Sequence, residues 1–433
     1  MDGKYYSSNT APGTPAPEQP QNPYVAESPK KQKKKPGFKT GLFVGIAATL
    51  VACLIIVFAV GSWATGGLLN AKTIGKLNLL NSVIHEYYYK DVDESDLQTG
   101  LYKGIMEGLN DPYTAYYTPT EAKALEESLT GNYAGIGAGL TQDKTTMVVT
   151  VSFVYDGSPA KEAGLQKGDV IVSADGIDAT SMELSDFVQK IRGEEGTDVT
   201  LTVSRDGKEQ DYTLTRRTIQ VPSVSHRMLS DNVGYIRITE FSSGTADEFD
   251  SALKDLQGQG MTSVIFDLRD NPGGLVDAVT KILDELLPEG TVVYTVDHDG
   301  KREDYTSDAA TYLDMPMAVL INGNSASASE IFSGAIRDFK AGTLIGTTSY
   351  GKGVVQSTMP LGDGSLVKLT TMEYFTPSGE NIQGKGITPD IEVEYEFTGD
   401  ADAVAKKTEE ELTTEDYLND SQVKAAFDKL TGK

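Results

Sequence analysis

The sequence predicts a multidomain α+β protein that is preceded by one transmembrane helix. Three observations support this prediction: an uncharged apolar stretch at 41–63, short β-rich runs around a single helix at 131–217, and strands that alternate with helical segments after residue 233. A chain of 433 residues exceeds one ordinary domain, so several globular units are expected.

The first 40 residues predict a disordered cytoplasmic tail, because they are rich in Pro, Asn, Ser and Gln and end in a lysine cluster. The next stretch, 41–63, is long enough to cross a hydrocarbon core of about 30 Å. By the positive-inside rule the lysines stay in the cytoplasm, so the large C-terminal part lies outside a cell membrane that the chain spans once. A cleaved signal peptide is the competing interpretation, although the run starts late and lacks an Ala-x-Ala site.

The composition argues against several classes of function. The formal net charge is -25, which argues against nucleic-acid binding. The single cysteine, Cys53, lies in the apolar run and allows neither a disulfide nor a cysteine-based zinc site. His85, His226 and His298 lack metal-ligand spacing, so we predict no metal, and the chemistry considered below needs no cofactor.

Residues 70–130 predict a helical region, because apolar side chains recur at helical spacing until Asp111 and Pro112. Residues 131–217 predict a compact β-sandwich-like module with one helix at 184–191. The small residues that open this module allow backbone N–H groups to capture a peptide carboxylate while the peptide pairs along a strand edge. They are Gly135, Ile136, Gly137 and Ala138.

Residues 218–396 predict an α/β domain, since strands such as 263–267, 291–296 and 317–322 alternate with helical segments. Such alternation is typical of a catalytic core. The last segment, 397–433, predicts a helical tail with one helix at 415–430.

A serine-rich segment, Asn324 to Phe332, follows an apolar strand and opens a helix. Ser327 and Glu330 fit the S-x-x-E capping box, so a helix-capping serine is the alternative interpretation. The same location aims backbone N–H groups and the positive end of the helix dipole at negative charge that develops beside the serine. The segment is therefore a candidate site for a nucleophile.

The candidate base is Lys352, which lies in a tight loop between Gly351 and Gly353. A desolvated lysine can lose its proton, although an exposed turn lysine is the competing interpretation. Gln356, four residues later in an extended run, can project to the same side and orient the lysine amine. A nucleotide-binding P-loop is disfavoured, because Gly353 stands where Ser or Thr would bind magnesium.

A second loop carries paired glycines, Gly273 and Gly274, directly after an apolar strand. Glycines let the backbone approach a ligand closely, so this loop is a candidate oxyanion hole. A plain strand-to-helix turn is the alternative interpretation.

Together these segments resemble the C-terminal processing peptidases, also called tail-specific proteases. The motifs that match in order are Asp111-Pro-Tyr-Thr, Leu268-Arg-x-Asn-Pro-Gly-Gly274, Ser325-Ala-Ser327-Ala-Ser-Glu-Ile, Gly351-Lys352-Gly-x-Val-Gln356 and Thr376-Pro-Ser-Gly379. Two more motifs, Gly-Ser158-Pro-Ala-x-x-Ala-Gly164-Leu and Gly168-Asp-x-Ile, are typical of PDZ domains of bacterial proteases. The resemblance covers about residues 75–395, and it departs at Asp270 and at Glu380-Asn381.

The resemblance implies a membrane-anchored serine endopeptidase with a PDZ domain at 131–217 and a crotonase-like α/β peptidase core at 218–396. Ser327 looks like the nucleophile, Lys352 like the general base and Gln356 like the residue that orients the lysine. The implied oxyanion hole is formed by the backbone N–H groups of Gly274 and Ala328, and the implied supporting acid is Asp338.

The resemblance also implies that the PDZ domain binds the apolar C-terminal tail of a protein substrate through the segment Gly135 to Ala138. Arg192 matches an arginine that helps couple tail binding to the catalytic centre. Expected partners are proteins with apolar C-termini, and a homodimer is a further expectation. A non-catalytic PDZ adaptor is the alternative function, whereas a trypsin-like PDZ protease would need a His/Asp pair whose motifs are missing.

Overall fold

The computed structural model describes residues 67–308, 310–405, 407 and 411–433, together with Thr49. The chain divides into two compact units, residues 1–93 and 94–433. In the first unit, helix α1 (Ala71–Tyr87) begins after Asn70, whose side chain accepts a hydrogen bond from the Thr73 N–H. None of the helices in the described part of the chain is both long and apolar enough to cross a membrane. The predicted tail, 1–40, and the predicted membrane span, 41–63, lie outside the described residues apart from Thr49.

The second unit begins with helices α2 (Glu94–Glu107) and α3 (Pro119–Thr130), which flank the short strand β1 (Ala115–Tyr117). The Thr118 and Glu121 side chains form a reciprocal capping box at the start of α3. Strand β1 pairs antiparallel with residues 366–368. The region predicted as helical therefore also supplies one strand, β1, to a sheet whose other strands come much later in the chain.

Residues 132–220 form the β-rich module. Its central sheet has six strands, with β6 paired to β5 and the others in the order β3-β4-β5-β7-β8. Buried valines of this sheet pack against Phe187 and Ile191 of the module's main helix, so the expected sandwich is one sheet covered by a helix. The elements are β2 (Asn132–Gly135), β3 (Ala138–Gln142), β4 (Val149–Val154), α4 (Pro159–Glu162), β5 (Val170–Ala174), β6 (Ile177–Asp178), α5 (Leu184–Ile191), β7 (Asp198–Arg205), β8 (Lys208–Thr215) and β9 (Arg217–Gln220).

A mostly parallel sheet forms the centre of the next domain, in the order β10-β11-β12-β15-β16-β19. Its central strands, β12 and β15, are buried along their whole length because helices cover both faces of the sheet. Phe249, Phe266 and Phe332 meet in the larger core on one face. The elements are β10 (Val224–Met228), β11 (Val233–Ile238), α6 (Thr245–Gly258), β12 (Ser263–Asp267), α7 (Val276–Leu286), β15 (Met317–Ile321), α8 (Ala328–Phe339), β16 (Gly342–Gly346) and β19 (Ile391–Glu392).

A second, antiparallel sheet has the order β1-β18-β13-β14, with β17 also paired to β18. The predicted strand at 291–296 belongs to this sheet and not to the parallel one. The remaining strands are β13 (Gly290–Asp297), β14 (Arg302–Ser307), β17 (Val354–Pro360) and β18 (Leu366–Phe375).

The C-terminal segment contains α9 (Ala401–Ala405), α10 (Thr414–Leu418) and α11 (Ser421–Thr431). The single helix predicted at 415–430 is therefore wrong. It is interrupted at Asp420, whose carboxylate accepts hydrogen bonds from the N–H groups of Gln422 and Val423 and so starts a new helix. Phe427 of α11 lies in the core on the second face of the parallel sheet.

Candidate active site

Three loops that carry the predicted site residues leave the same edge of the parallel sheet. The paired glycines follow β12, Ser327 follows β15 and Lys352 follows β16, and these three strands are parallel neighbours. The carboxyl ends of parallel strands share one edge, which is the usual place for a site in an open α/β sheet. The fold thus gathers segments that are far apart in the sequence.

Ser327 stands in a strained turn at the start of α8. Its backbone angles are φ 56° and ψ -114°, a conformation that costs about 1–3 kcal/mol for a residue with a side chain. The Ser327 N–H donates to the Glu330 carboxylate at 2.8 Å, as the S-x-x-E pattern predicts. The hydroxyl of buried Tyr374 donates to the Ser327 carbonyl oxygen at 3.3 Å. Hydrogen bonds therefore fix both the N–H group and the carbonyl group of Ser327.

Glu330 is fully buried and joins the serine turn to the lysine loop. Its Oε2 accepts from the Ser327 N–H at 2.8 Å and from the Lys352 N–H at 2.9 Å. Its Oε1 accepts from the Gly351 N–H at 2.7 Å and the Ser349 hydroxyl at 2.5 Å. One oxygen atom thus binds the backbones of both candidate catalytic residues. Burial raises the pKa of Glu330, while the four donors favour its ionised form.

Lys352 is partly buried, which disfavours the charged amine. Burial lowers the pKa of Lys352 below its usual range, and the positive charge of Lys368 lowers it further, whereas Asp111 and Glu330 oppose the shift. The Nζ atom lies 4.9 Å from the centre of the Tyr113 ring. A lysine with a lowered pKa can accept a proton, which is what a general base must do.

Replacing Lys368 should change the pH dependence of any reaction in which Lys352 is the base. Without that positive charge, we expect the pKa of Lys352 to rise, so the Lys368→Gln variant needs a higher pH to deprotonate the base. The ascending limb of the kcat/KM profile should move to higher pH, with a several-fold loss at neutral pH. Lys301→Gln, which removes an exposed lysine after β13, is the control. An unshifted Lys368→Gln profile would contradict Lys352 as the titrating base.

Gln356 does not lie where simple strand alternation would place it. Strand β17 begins only at Val354, and its pairing with β18 shifts register between Val355 and Gln356. The Gln356 side-chain amide donates to the Thr370 hydroxyl at 3.2 Å, and within the described residues no hydrogen bond joins it to Lys352. An orienting role for Gln356 stays a prediction.

The paired-glycine loop packs directly against the serine turn. A Cβ atom on Gly273 would lie 2.7 Å from the Ser327 Cβ, and one on Gly274 would lie 2.2 Å from the Phe241 carbonyl oxygen. Both positions therefore require glycine. Within the described part of the chain, the N–H groups of Gly274 and Ala328 donate to no protein acceptor, which leaves both available to an oxyanion.

Asp270 ties this loop to the segment that carries the serine. Its carboxylate accepts from the Asn322 side-chain amide at 3.0 Å and from the Asn324 amide at 2.9 Å. Asp270 is one of the positions at which the sequence departs from the family motif. Its role depends on Asn322 and Asn324 in a different loop, so the motif around Asp270 could not predict it.

Asp338 lies further along α8, where its carboxylate accepts from the Ser378 N–H at 2.9 Å and binds Arg337. Although burial opposes the shift, hydrogen bonds from Thr376 and Ser378 hold the pKa of Asp338 below its usual range. These contacts fit a supporting position for the Thr376-Pro-Ser loop.

A cavity of about 280 Å³ lies at the free edge of β3 in the β-rich module. Of the five residues predicted for peptide binding, all but Gly137 line it. Arg192 donates to Glu127 at 3.0 Å, and its buried Nε atom has no hydrogen-bond partner among the residues that the structure describes. Lining side chains that the sequence motifs did not indicate include Tyr133, Phe153, Tyr155, Val188, Ile191 and Val221.

The site is that of a candidate serine peptidase. It combines a serine at a helix start, a lysine with a lowered pKa and a groove at the edge of β3. The model of peptidase family S41 matches residues 232–393, a PDZ domain model matches 150–205, and the model of the activating protease CtpB N-terminal domain matches 63–120. The chain belongs to peptidase family S41 and is a serine-type peptidase with a PDZ domain. The resemblance seen in the sequence is confirmed at this level.

Similar proteins include two that are named probable CtpA-like serine protease. The one from Staphylococcus saprophyticus is 35% identical over 378 residues, which cover 85% of this chain and 76% of that protein. The one from Staphylococcus haemolyticus is 37% identical over 323 residues, covering 74% of this chain and 64% of that protein. A solved structure, the photosystem II D1 C-terminal processing protease, is 29% identical with a TM-score of 0.46, covering 76% of this chain and 90% of that one.

Proposed function

We propose that this chain is an endopeptidase that cleaves extracytoplasmic proteins by a Ser327/Lys352 mechanism. The observation that carries the proposal is the Glu330 oxygen that binds the backbone N–H groups of both residues. A shared anchor of this kind keeps a nucleophile and its base in register, which is the main requirement for an effective pair. The lowered pKa of Lys352 supports the same assignment.

The reaction is acyl transfer in two steps. The neutral Lys352 amine takes the proton of the Ser327 hydroxyl as Oγ forms a bond to the scissile carbonyl carbon. The N–H groups of Gly274 and Ala328 stabilise the oxyanion. The intermediate then breaks its C–N bond, and the Lys352 ammonium returns the proton to the leaving amine. Water then loses a proton to Lys352 and attacks the ester carbonyl, the bond between that carbon and Ser327 Oγ breaks, and the Lys352 ammonium returns the proton to Oγ. Gln356 helps to orient the lysine.

The groove at β3 binds the C-terminal tail of the substrate as an added strand. Strand β3 lies at the edge of its sheet, so its outer backbone groups can pair with an extended peptide. Ile136, Leu140 and Val188 give the groove an apolar lining, which favours apolar tails. The N–H groups from Gly135 to Ala138 receive the terminal carboxylate, and Arg192 links the filled groove to α3 through Glu127.

The proposed location is the outer side of a cell membrane, with the predicted span at 41–63 as the anchor. The lysine cluster before the span and the acidic composition after it support this orientation. A homodimer stays a prediction.

The test compares one unfolded protein carrying either an apolar C-terminal tail or a tail ending in two aspartates. We expect the full chain to cleave the apolar-tailed protein at least about tenfold faster, since one favourable apolar contact is worth about that factor. Mass spectrometry after acid quenching should find the acyl group on Ser327. Binding of the tail without any cleavage would favour the adaptor, and equal cleavage of both proteins would refute tail recognition.

A further inference from the structure

A β-bulge in β4 turns Phe153 away from the core of the β-rich module. Val149 and Val151 are 0% and 1% exposed, so strict alternation would bury residue 153 as well. The pairing of β3 with β4 shifts between Gly139 and Leu140, which leaves Ser152 as an extra residue. The side chains after it change faces, so Val154 packs against the core and Phe153 is 46% exposed.

The Phe153 ring leans across its neighbour to the free edge of β3. Phe153 pairs directly with Gly139, and a Cβ atom on Gly139 would lie only 2.2 Å from the ring. The ring thus occupies the space of the missing side chain, and it makes an edge contact with Tyr155 at a centroid distance of 5.0 Å. Covering the backbone of Gly139 accounts for the position of one part of the Phe153 ring. The exposed remainder lines the same cavity as the peptide-binding segment.

The two walls of the groove lie on opposite faces of the edge strand. Val188 and Ile191 belong to α5, which covers the core face of the sheet, whereas Phe153 follows the bulge in β4 and points away from that core, as does Tyr155 by alternation with Val154. Side chains of an added strand alternate between these two faces. When the terminal residue of a bound peptide points toward α5, the residue before it points toward Phe153.

We propose that Phe153 determines specificity for the penultimate residue of the bound tail and favours an apolar, above all an aromatic, side chain there. This inference rests on the proposed tail binding and adds a second selected position to it. Aromatic pairs prefer edge or offset contacts at about 4.5–7 Å, a geometry that the exposed ring edge can offer. A small polar side chain at the penultimate position leaves the Phe153 ring exposed to solvent. An acidic side chain there finds no hydrogen-bond or ion-pair partner in the ring.

The experiment measures peptide binding to the full chain in detergent, with Ser327→Ala present so that peptides stay intact. Fluorescein-labelled octapeptides end in Ala and carry Phe, Ser or Asp at the penultimate position, and their anisotropy gives Kd. We expect Phe to bind about tenfold more tightly than Ser, and Phe153→Ala to reduce that ratio to about two. Peptides varied at the antepenultimate position, which faces α5, should keep their ratios in Phe153→Ala.

A second variant guards against simple misfolding. Phe153→Lys should reverse the order and favour penultimate Asp over Phe, a gain that a damaged domain cannot produce. A Phe-to-Ser ratio that is the same in the parent, Phe153→Ala and Phe153→Lys would overturn the role of Phe153 while leaving tail binding intact. Failure of every peptide to bind the parent chain would instead overturn the tail recognition on which the role depends.

Discussion

Ser327→Ala should lower kcat/KM for an unfolded protein substrate by about 10⁴-fold or more, because no acyl-enzyme can form without the hydroxyl. Lys352→Ala should cause a loss of similar size, since the hydroxyl then has no base. The double variant should be hardly worse than either single variant, because the two residues act as one unit. Cleavage can be followed by the appearance of new amino termini.

The motif itself offers a matched control. Ser329 is buried and donates its hydroxyl to the Asn271 carbonyl oxygen at 3.0 Å, so its hydroxyl already has a structural partner. Ser329→Ala should lower stability by about 1 kcal/mol and leave most of the activity. Wild-type cleavage by Ser327→Ala would refute the nucleophile, and a strictly additive double variant would refute the shared mechanism.

Glu330→Gln should reduce kcat by about 100-fold with little change in KM, because the substituted side chain can no longer accept all four hydrogen bonds that hold the serine turn and the lysine loop together. Each carboxylate oxygen of Glu330 accepts two hydrogen bonds, whereas the NH2 group that replaces one of these oxygens in glutamine can only donate. In either orientation, at least one backbone N–H would face the amide instead of an acceptor. Unfolding by urea should show a loss of about 2 kcal/mol from the unpaired buried groups.

Glu380→Gln is the control for this change. Glu380 is partly exposed and pairs with Arg337 at 2.8 Å, so it undergoes the same chemical substitution without touching the serine turn or the lysine loop. We expect its kcat to stay within about twofold of the wild type, as for most surface changes. A Glu330→Gln variant that is folded and has wild-type kcat would show that the Glu330 carboxylate does not position the pair.

Local patterns predicted much of the framework. The helix at 184–191 and the strand at 263–267 have the predicted bounds, because each is marked by its own periodicity and by nearby turn residues. The pairing of the strand at 291–296 was not predictable in the same way. Its alternation identifies a strand, and its hairpin with β14 is local, but the pairing with β18 that joins it to the rest of the antiparallel sheet connects residues 75 or more positions apart.

By itself, the sequence determined the class of the protein and the short segments that carry its candidate chemistry. Those motifs are local, and a serine before a helix or a glycine-flanked lysine can be identified without knowing what lies beside it. Only the tertiary structure decided how the segments are used. Glu330 became the common anchor of Ser327 and Lys352 because three parallel strands end at one edge, and Phe153 reached the groove because one extra residue reversed the phase of β4. Contacts of this kind depend on through-space neighbours, which the period of a single strand or helix cannot specify.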